Sequence, residues 1–354
     1  MKTVALTMIV KNEEKVLARC LDSVCKLVDE IIIVDTGSTD RTKSIAQDFG
    51  AKIYDWVWNQ NFADARNAAL EHSTSDWNLV LDADEYVKSE DSTAIRQFIN
   101  GEKAIGRVKI VNQFIGDDGL ESTAQSFISR IFPSGVRYEG SIHEQLVSDL
   151  PRIKLPVEIW HDGYMKSKAE RNIPILKKEI EKSPHDSYYH FQIAKEYRGI
   201  NDHAQACQHL EQAYRLLTRK EYYAPNVIVN LLYELIATGQ LESGLPVIQR
   251  ERDFLRDFSD FHFACGIFYM KLILSNTAKY VDLFPYIEAS YLRCLEIGET
   301  DQYDSVRGTG SFTALHNLGG LYEVMGNINK AKECYREAAT TYGYQPSNER
   351  LKQL

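Results

Sequence analysis

From Lys2 to about Ile159 the chain alternates short apolar runs with amphipathic stretches, and no other feature constrains its fold as strongly. TVALTMIV, EIIIVDTGS and AKIYDW read as strands, whereas the apolar residues of EEKVLARCLDSV and DRTKSIAQDFG recur at helical spacing. Strand, helix, strand, helix, strand implies parallel strands joined by right-handed crossovers, with ligands beyond the carboxyl ends of the strands. NFADARNAALEHS follows as an alanine-rich helix that Asn61 can cap, and WNLVLDADEYV as a buried strand ending abruptly in carboxylates. GRVKIVNQFI and STAQSFISRIF flank GDDGLE, the pattern of two antiparallel strands joined by a glycine-containing turn.

Around Met165 strands give way to helices. SYYHFQIAKEYRGINDHAQACQHLEQAYRLL resembles FTALHNLGGLYEVMGNINKAKECYREAATTYGYQP, and VIVNLLYELIATGQLESGLPVI reads as a degraded copy between them. Ala194, Tyr197 and Gly199 align with Gly319, Tyr322 and Gly326 if the first turn is slightly shorter, and Ala206 and Ala213 with Ala331 and Ala338. The pattern resembles a tetratricopeptide-repeat array, whose stacked helix pairs offer a groove to a peptide or protein. The plainer alternative is that the helices buttress the first domain or form a homodimer. The expected organisation is therefore an α/β domain over residues 1–164 and an all-α repeat domain over 165–354, consistent with a length of 354 residues.

A formal net charge of −9 argues against broad attraction to nucleic acid or anionic lipid, and no apolar run approaches bilayer-spanning length. The opening MKTVALTMIVKNEEKV reads as a buried strand, not a leader, because no small-residue cleavage site precedes its charges. Six cysteines without a CxxC pair fit reduced core thiols in a soluble, cytoplasmic protein.

Asp82 and Asp84 close the run LVLDADEYV. A nucleotide diphosphate needs a hard divalent cation to neutralise its oxygens, and that cation needs oxygen ligands. Two acids spaced by one residue can divide this work, one on metal and the other on ribose or a metal-bound water. A DxD tripeptide alone is a common accident of solvated loops; its position after an apolar strand gives it weight.

MIVKNEEKVLARCLDSV, EIIIVDTGSTDRT, FADARNAAL and VLDADE together resemble, in order and spacing, the family 2 glycosyltransferases of the GT-A fold, across roughly residues 2–162. The resemblance implies a Rossmann-like nucleotide-sugar domain using a UDP-sugar and Mn2+ or Mg2+. It sets Glu13, after Asn12, at the nucleoside and Asp35 at the uracil edge. Arg66 falls near the base or diphosphate, Asp82 on ribose, and Asp84 as principal metal ligand. Each has a plainer alternative: Glu13 favouring a helix N-terminus, Asp35 and Asp40 as turn or cap residues around GST, Arg66 as a surface charge.

RYEGSIHEQL and VEIWHDGY supply His143, Glu144 and His161. The family often takes a further metal contact from a histidine late in the domain, and His161 resembles that ligand; imidazole suits manganese particularly. The alternative is a histidine hydrogen-bonded at a strand end. Inverting transfer needs a base on the far side of the sugar from the leaving diphosphate. Glu144 holds the family's base position, although the commoner pattern there is an Asp following a Glu. His143 is the alternative base, and Glu144 could instead pair with Arg137 or Arg130.

The QxxRW motif and membrane helices of the family's processive synthases are absent from this sequence, which favours single-sugar addition. A nucleotidyltransferase would carry a glycine-rich basic loop where this chain has VKNEEKV. A noncatalytic repeat scaffold remains the different-class reading. A family 2 domain followed by repeat-like helices resembles transferases that glycosylate bacteriocin peptides on Cys or Ser, and also transferases acting on surface-glycan precursors. The repeats tilt the expectation toward a peptide acceptor.

Overall fold

The structure is a computed structural model that describes residues 2–87, 92–115, 121–161, 168–300 and 302–354. The chain divides into two compact units, Met1–Ser167 and Lys168–Leu354. The expected boundary after residue 164 and the turn at 116–120 lie outside the described residues.

In the first unit the elements are β1 (Val4–Val10), α1 (Leu17–Val24), β2 (Glu30–Asp35), α2 (Thr42–Asp48), β3 (Lys52–Asp55), α3 (Phe62–Glu71), β4 (Trp77–Val80), β5 (Glu85–Val87), α4 (Ser92–Asn100), β6 (Ile105–Ile115), β7 (Glu121–Pro133), β8 (Arg137–Glu139), β9 (Gln145–Val147) and β10 (Arg152–His161). The main sheet runs β3-β2-β1-β4-β7-β6-β10-β5. Its first four strands are parallel, β7 is antiparallel to β4 and β6, and β10 is parallel to β6.

Burial explains these choices. Leu17, Cys20, Leu21 and Val24 face the sheet at helical spacing and join Leu6, Met8, Ile33 and Leu79 in one core. Ala68 and Ala69 of α3 pack against Ile32 and Val34 on the opposite face, where small side chains let helix and sheet approach. Asn61 caps α3, its side chain accepting the Asp64 N–H at 3.2 Å.

WNLVLDADEYV differs from the single strand its sequence suggests. It forms two strands in distant places of the same sheet: β4 lies beside β1, while β5 ends the strand path, antiparallel to β10. The acids occupy the reversal between them.

The second unit comprises α5 (Ala169–Lys182), α6 (Ser187–Gly199), α7 (His203–Leu216), α8 (Ala224–Ala237), α9 (Gly244–Glu251), α10 (Ser259–Ser275), α11 (Thr277–Tyr280), α12 (Phe284–Ile297), α13 (Phe312–Val324), α14 (Ile328–Tyr342) and α15 (Gln345–Leu351). The hairpin turns α6–α7, α8–α9 and α13–α14 share one closure. Asn201, Gly239 and Gly326 adopt φ of 60°, 72° and 75°, and the next residue's N–H donates five residues back, to Tyr197, Leu235 and Tyr322 at 2.8–2.9 Å. The α6–α7 and α13–α14 turns are therefore equal in length. Gly326 corresponds to Asn201, not Gly199, because asparagine tolerates the left-handed conformation well enough to hide the repeat's glycine signal.

Candidate active site

The reversal at residues 81–84 is closed by two hydrogen bonds: the Glu85 N–H donates to the Asp82 carbonyl at 3.0 Å, and the Asp82 N–H to Glu85 Oε2 at 2.9 Å. Glu85 is buried, whereas the Asp82 side chain is 39% exposed. Burial pushes the Glu85 carboxyl up against the opposing pull of Arg130.

Two arginines meet these acids. Arg66 of α3 donates from Nη2 to Asp82 Oδ1 at 2.8 Å and from Nε to Glu144 Oε1. Arg130 of β7 donates from Nη2 to Asp82 Oδ2 at 3.2 Å and to Glu85 Oε1. Both guanidiniums are buried; burial works against their charge, but the surrounding carboxylates hold each pKa above its ordinary value. Arg66 also lies over the buried Tyr138 ring at 5.6 Å, and Asn67 clamps Tyr138 through paired backbone contacts of 2.9 Å.

Strand register brings the next acid to His161. Glu85 pairs with His161 across β5 and β10, and His161 pairs with Asn112 across β10 and β6. Asp84 Oδ2 consequently stands 3.3 Å from His161 Nε2, while His161 Nδ1 stands 2.9 Å from Asn112 Oδ1. An amide oxygen only accepts, so Nδ1 carries a proton and Nε2 turns to Asp84. Burial opposes charge on this imidazole, but the Asp84 hydrogen bond and the charges of Asp84, Glu85 and Asp82 outweigh it and raise the His161 pKa.

This pair fits a divalent cation. Cis ligands at about 2.1 Å on an octahedral ion sit about 3 Å apart, close to the Asp84–His161 separation of 3.3 Å. A histidine whose second nitrogen is fixed by a hydrogen bond is the usual form of a metal imidazole. Among the described residues, no three His, Cys, Asp or Glu side chains gather as a metal cage. A cation here would take further ligands from the diphosphate.

Asp35 ends β2 fully buried; its Oδ1 accepts the N–H groups of Gly37 and Ser38 at 2.9 and 2.8 Å, and its Oδ2 is buried without a hydrogen-bond partner among the described residues. It therefore shapes the turn and keeps an acceptor in reserve. The Glu13 N–H donates to Thr42 Oγ1 at 2.7 Å, beside Asn12, whose φ is 57° and whose Oδ1 accepts the Thr39 N–H. Asp40 serves as a turn residue, accepting from Thr42 and from the Glu14 N–H.

Thus Arg66, Asp82 and Glu144 form one hydrogen-bonded group, and Asp84 with His161 a second, adjoining one. Glu13 and Asp35 lie near the ends of β1 and β2. Arg66 faces two carboxylates inside the domain, and Glu144 pairs with it in place of Arg137 or Arg130. His143 takes a φ of 52° and its carbonyl accepts from Gln145 at 3.0 Å. Glu85, Arg130 and Asn112 were not evident as site residues. The acid following DAD was the available signal for Glu85; Arg130 and Asn112 sit in ordinary strand alternation.

A Rossmann-like parallel half-sheet extended by a mixed half, with paired acids at the junction, is a GT-A-type domain. Residues 6–168 match the model of glycosyl transferase family 2, and the N-terminal unit is a family 2 glycosyltransferase domain. Residues 312–341 match a tetratricopeptide repeat model, within the C-terminal unit. A TPR repeat-containing protein of Synechococcus elongatus is 33% identical over 207 residues, covering 53% of this chain and 50% of that protein. The SPbeta prophage-derived glycosyltransferase SunS of Bacillus subtilis is 27% identical over 225 residues, covering 60% of this chain and 53% of SunS. The chain thus spans about half the length of these curated relatives. A solved glucosyl-3-phosphoglycerate synthase from Mycobacterium tuberculosis, in complex with Mn2+ and UDP-glucose, shares 23% identity over 31% of this chain and 44% of that one, with a TM-score of 0.28. No helix among the described residues is long and apolar enough to cross a membrane.

Proposed function

We propose that this protein is an inverting, metal-dependent glycosyltransferase that moves a single hexose or N-acetylhexosamine from a UDP-sugar to a Cys or Ser side chain of a peptide. The observation that carries the donor half is the apposition of Asp84 and His161, backed by Asn112 and flanked by a fixed Asp82. Asp84 and His161 would hold Mn2+ or Mg2+, which when bound neutralises the diphosphate as it leaves. Asp82, fixed by Arg66 and Arg130, offers its exposed edge to ribose hydroxyls. Asp35 would meet the nucleobase edge once the Gly37–Ser38 turn that covers its buried Oδ2 gives way, and Glu13 borders the nucleoside.

Glu144 is the proposed base. Its partner Arg66 orients it, and to take the acceptor's proton it must share or release that guanidinium. Arg66 thereby acts on the donor through Asp82 and on the acceptor through Glu144. The peptide half rests on the repeats, whose helix pairs suit an extended chain. Six free cysteines support a reducing, cytoplasmic setting.

The test is a matrix of UDP-sugars against peptide and glycan acceptors with Mn2+ or Mg2+, read by mass. Addition of one hexose to a peptide Cys or Ser is the expected result. Transfer only to a glycan or lipid-linked saccharide would overturn the acceptor assignment, and absence of UDP binding with either ion would overturn the donor assignment.

A further inference from the structure

Asp82 and Asp84 occupy a four-residue reversal, which by itself would leave their carboxylates poorly aimed. One of the two hydrogen bonds closing it uses a side chain, Glu85 Oε2, which accepts the Asp82 N–H at 2.9 Å. That carboxylate needs an anchor of its own. Arg130 supplies it from β7, where the pairing of Leu79 with Ile131 ties the neighbouring residue to β4. The same Nη2 also holds Asp82 Oδ2, while Arg66 holds Oδ1. Both oxygens of Asp82 and its backbone amide are thereby fixed through two arginines and one glutamate.

Glu85 and Arg130 are 3% and 7% exposed, so they lie behind the acids and away from any bound donor. An apolar pair of similar volume usually serves a core at least as well as a buried ion pair. Retention of charge at the foot of the acid turn therefore points to alignment.

We propose that Glu85 and Arg130 are positioning residues that aim Asp82 at the ribose and Asp84 at the cation without touching either. This rests on the donor reading given under Proposed function. Partners standing behind metal ligands typically govern about 10–100-fold in metal affinity. The test uses the full chain with Arg130→Lys, which keeps the charge and loses the planar fork, and Glu85→Gln, which keeps the shape.

Titration with UDP in the presence of Mn2+ should show binding weakened by about 10-fold or more in each. The donor KM should rise more than kcat falls, and the double variant should cost no more than the worse single one. UDP affinity within twofold of the parent for both variants, or additive losses in the double, would overturn the proposal. Should either variant fold poorly, the other carries the test. An unaltered chain that binds no UDP with Mn2+ rejects the donor reading itself. A parent that binds, an Asp84→Ala that does not, and an Arg130→Lys that binds normally reject only the positioning role.

Discussion

Both units bury charge, and they do so differently. In the first, Glu85, Arg66 and Arg130 are buried beside Asp82 and Asp84 around one end of the sheet. In the second, buried acids are dispersed among separate helix contacts. Glu234 accepts from His203 at 2.8 Å, Glu251 from Tyr214 at 2.7 Å and from Arg219, and Asp260 from the Val306 N–H at 2.9 Å and Thr309. Among the described residues, Asp35 Oδ2, Arg66 Nη1 and Arg130 Nε keep no partner in the first unit, whereas these three acids are answered within the repeats. Convergent, incompletely satisfied charge marks a place built for something else to arrive; dispersed, satisfied charge fastens helices.

The largest expected break in that comparison is Asp84→Ala. It should lower turnover about 1,000-fold or more, about 4 kcal/mol, while thermal unfolding stays near the parent's. Full activity would remove the metal role from Asp84. Glu144→Gln comes next: about 100-fold or more in kcat, with UDP affinity little changed. An equal loss of UDP affinity would make Glu144 a binding residue.

The repeats should answer in stability instead. Glu251→Ala strands Tyr214 and Arg219 and should cost about 3 kcal/mol in urea unfolding, leaving UDP affinity intact; a shift in that affinity would blur the contrast between the units. Smallest per pH unit is the effect at Asp260, whose carboxyl burial pushes up to about 7. Because the folded pKa lies above the unfolded value of about 3.9, the fold favours the protonated form. Its stabilising contribution is complete below about pH 4 and is lost as pH rises through about 7, at no more than about 1.4 kcal/mol per unit. Asp260→Asn should flatten that slope, so its melting temperature gains on the parent's from pH 5 to pH 8. Parallel pH curves would refute the assignment.

The sequence exposed whatever is written in consecutive residues. The β–α alternation, the Asn61 cap and the acids after an apolar run are local signals, and the four ordered motifs led to the fold. What stayed hidden is nonlocal. Arg66 meets Glu144 across 78 residues and Arg130 meets Glu85 across 45, and neither arginine differs in its own neighbourhood from a solvated charge. The division of WNLVLDADEYV into β4 and β5 was hidden for a related reason: a reversal closed by a glutamate side chain carries no glycine or proline to announce it. Gly199 is not the turn residue of its repeat, because Asn201 holds the left-handed position that Gly326 holds in the last one.

The register that sets Glu85 opposite His161 has a mechanical consequence. β5 is three residues long and hangs from β10 at the end of the sheet. A cation gripping Asp84 and His161 together would rivet that short strand to its neighbour, so loading the ion also tightens the margin of the domain. Amide exchange at Tyr86, paired with Trp160 of β10, would then slow when Mn2+ is added, making a strand margin a gauge of occupancy.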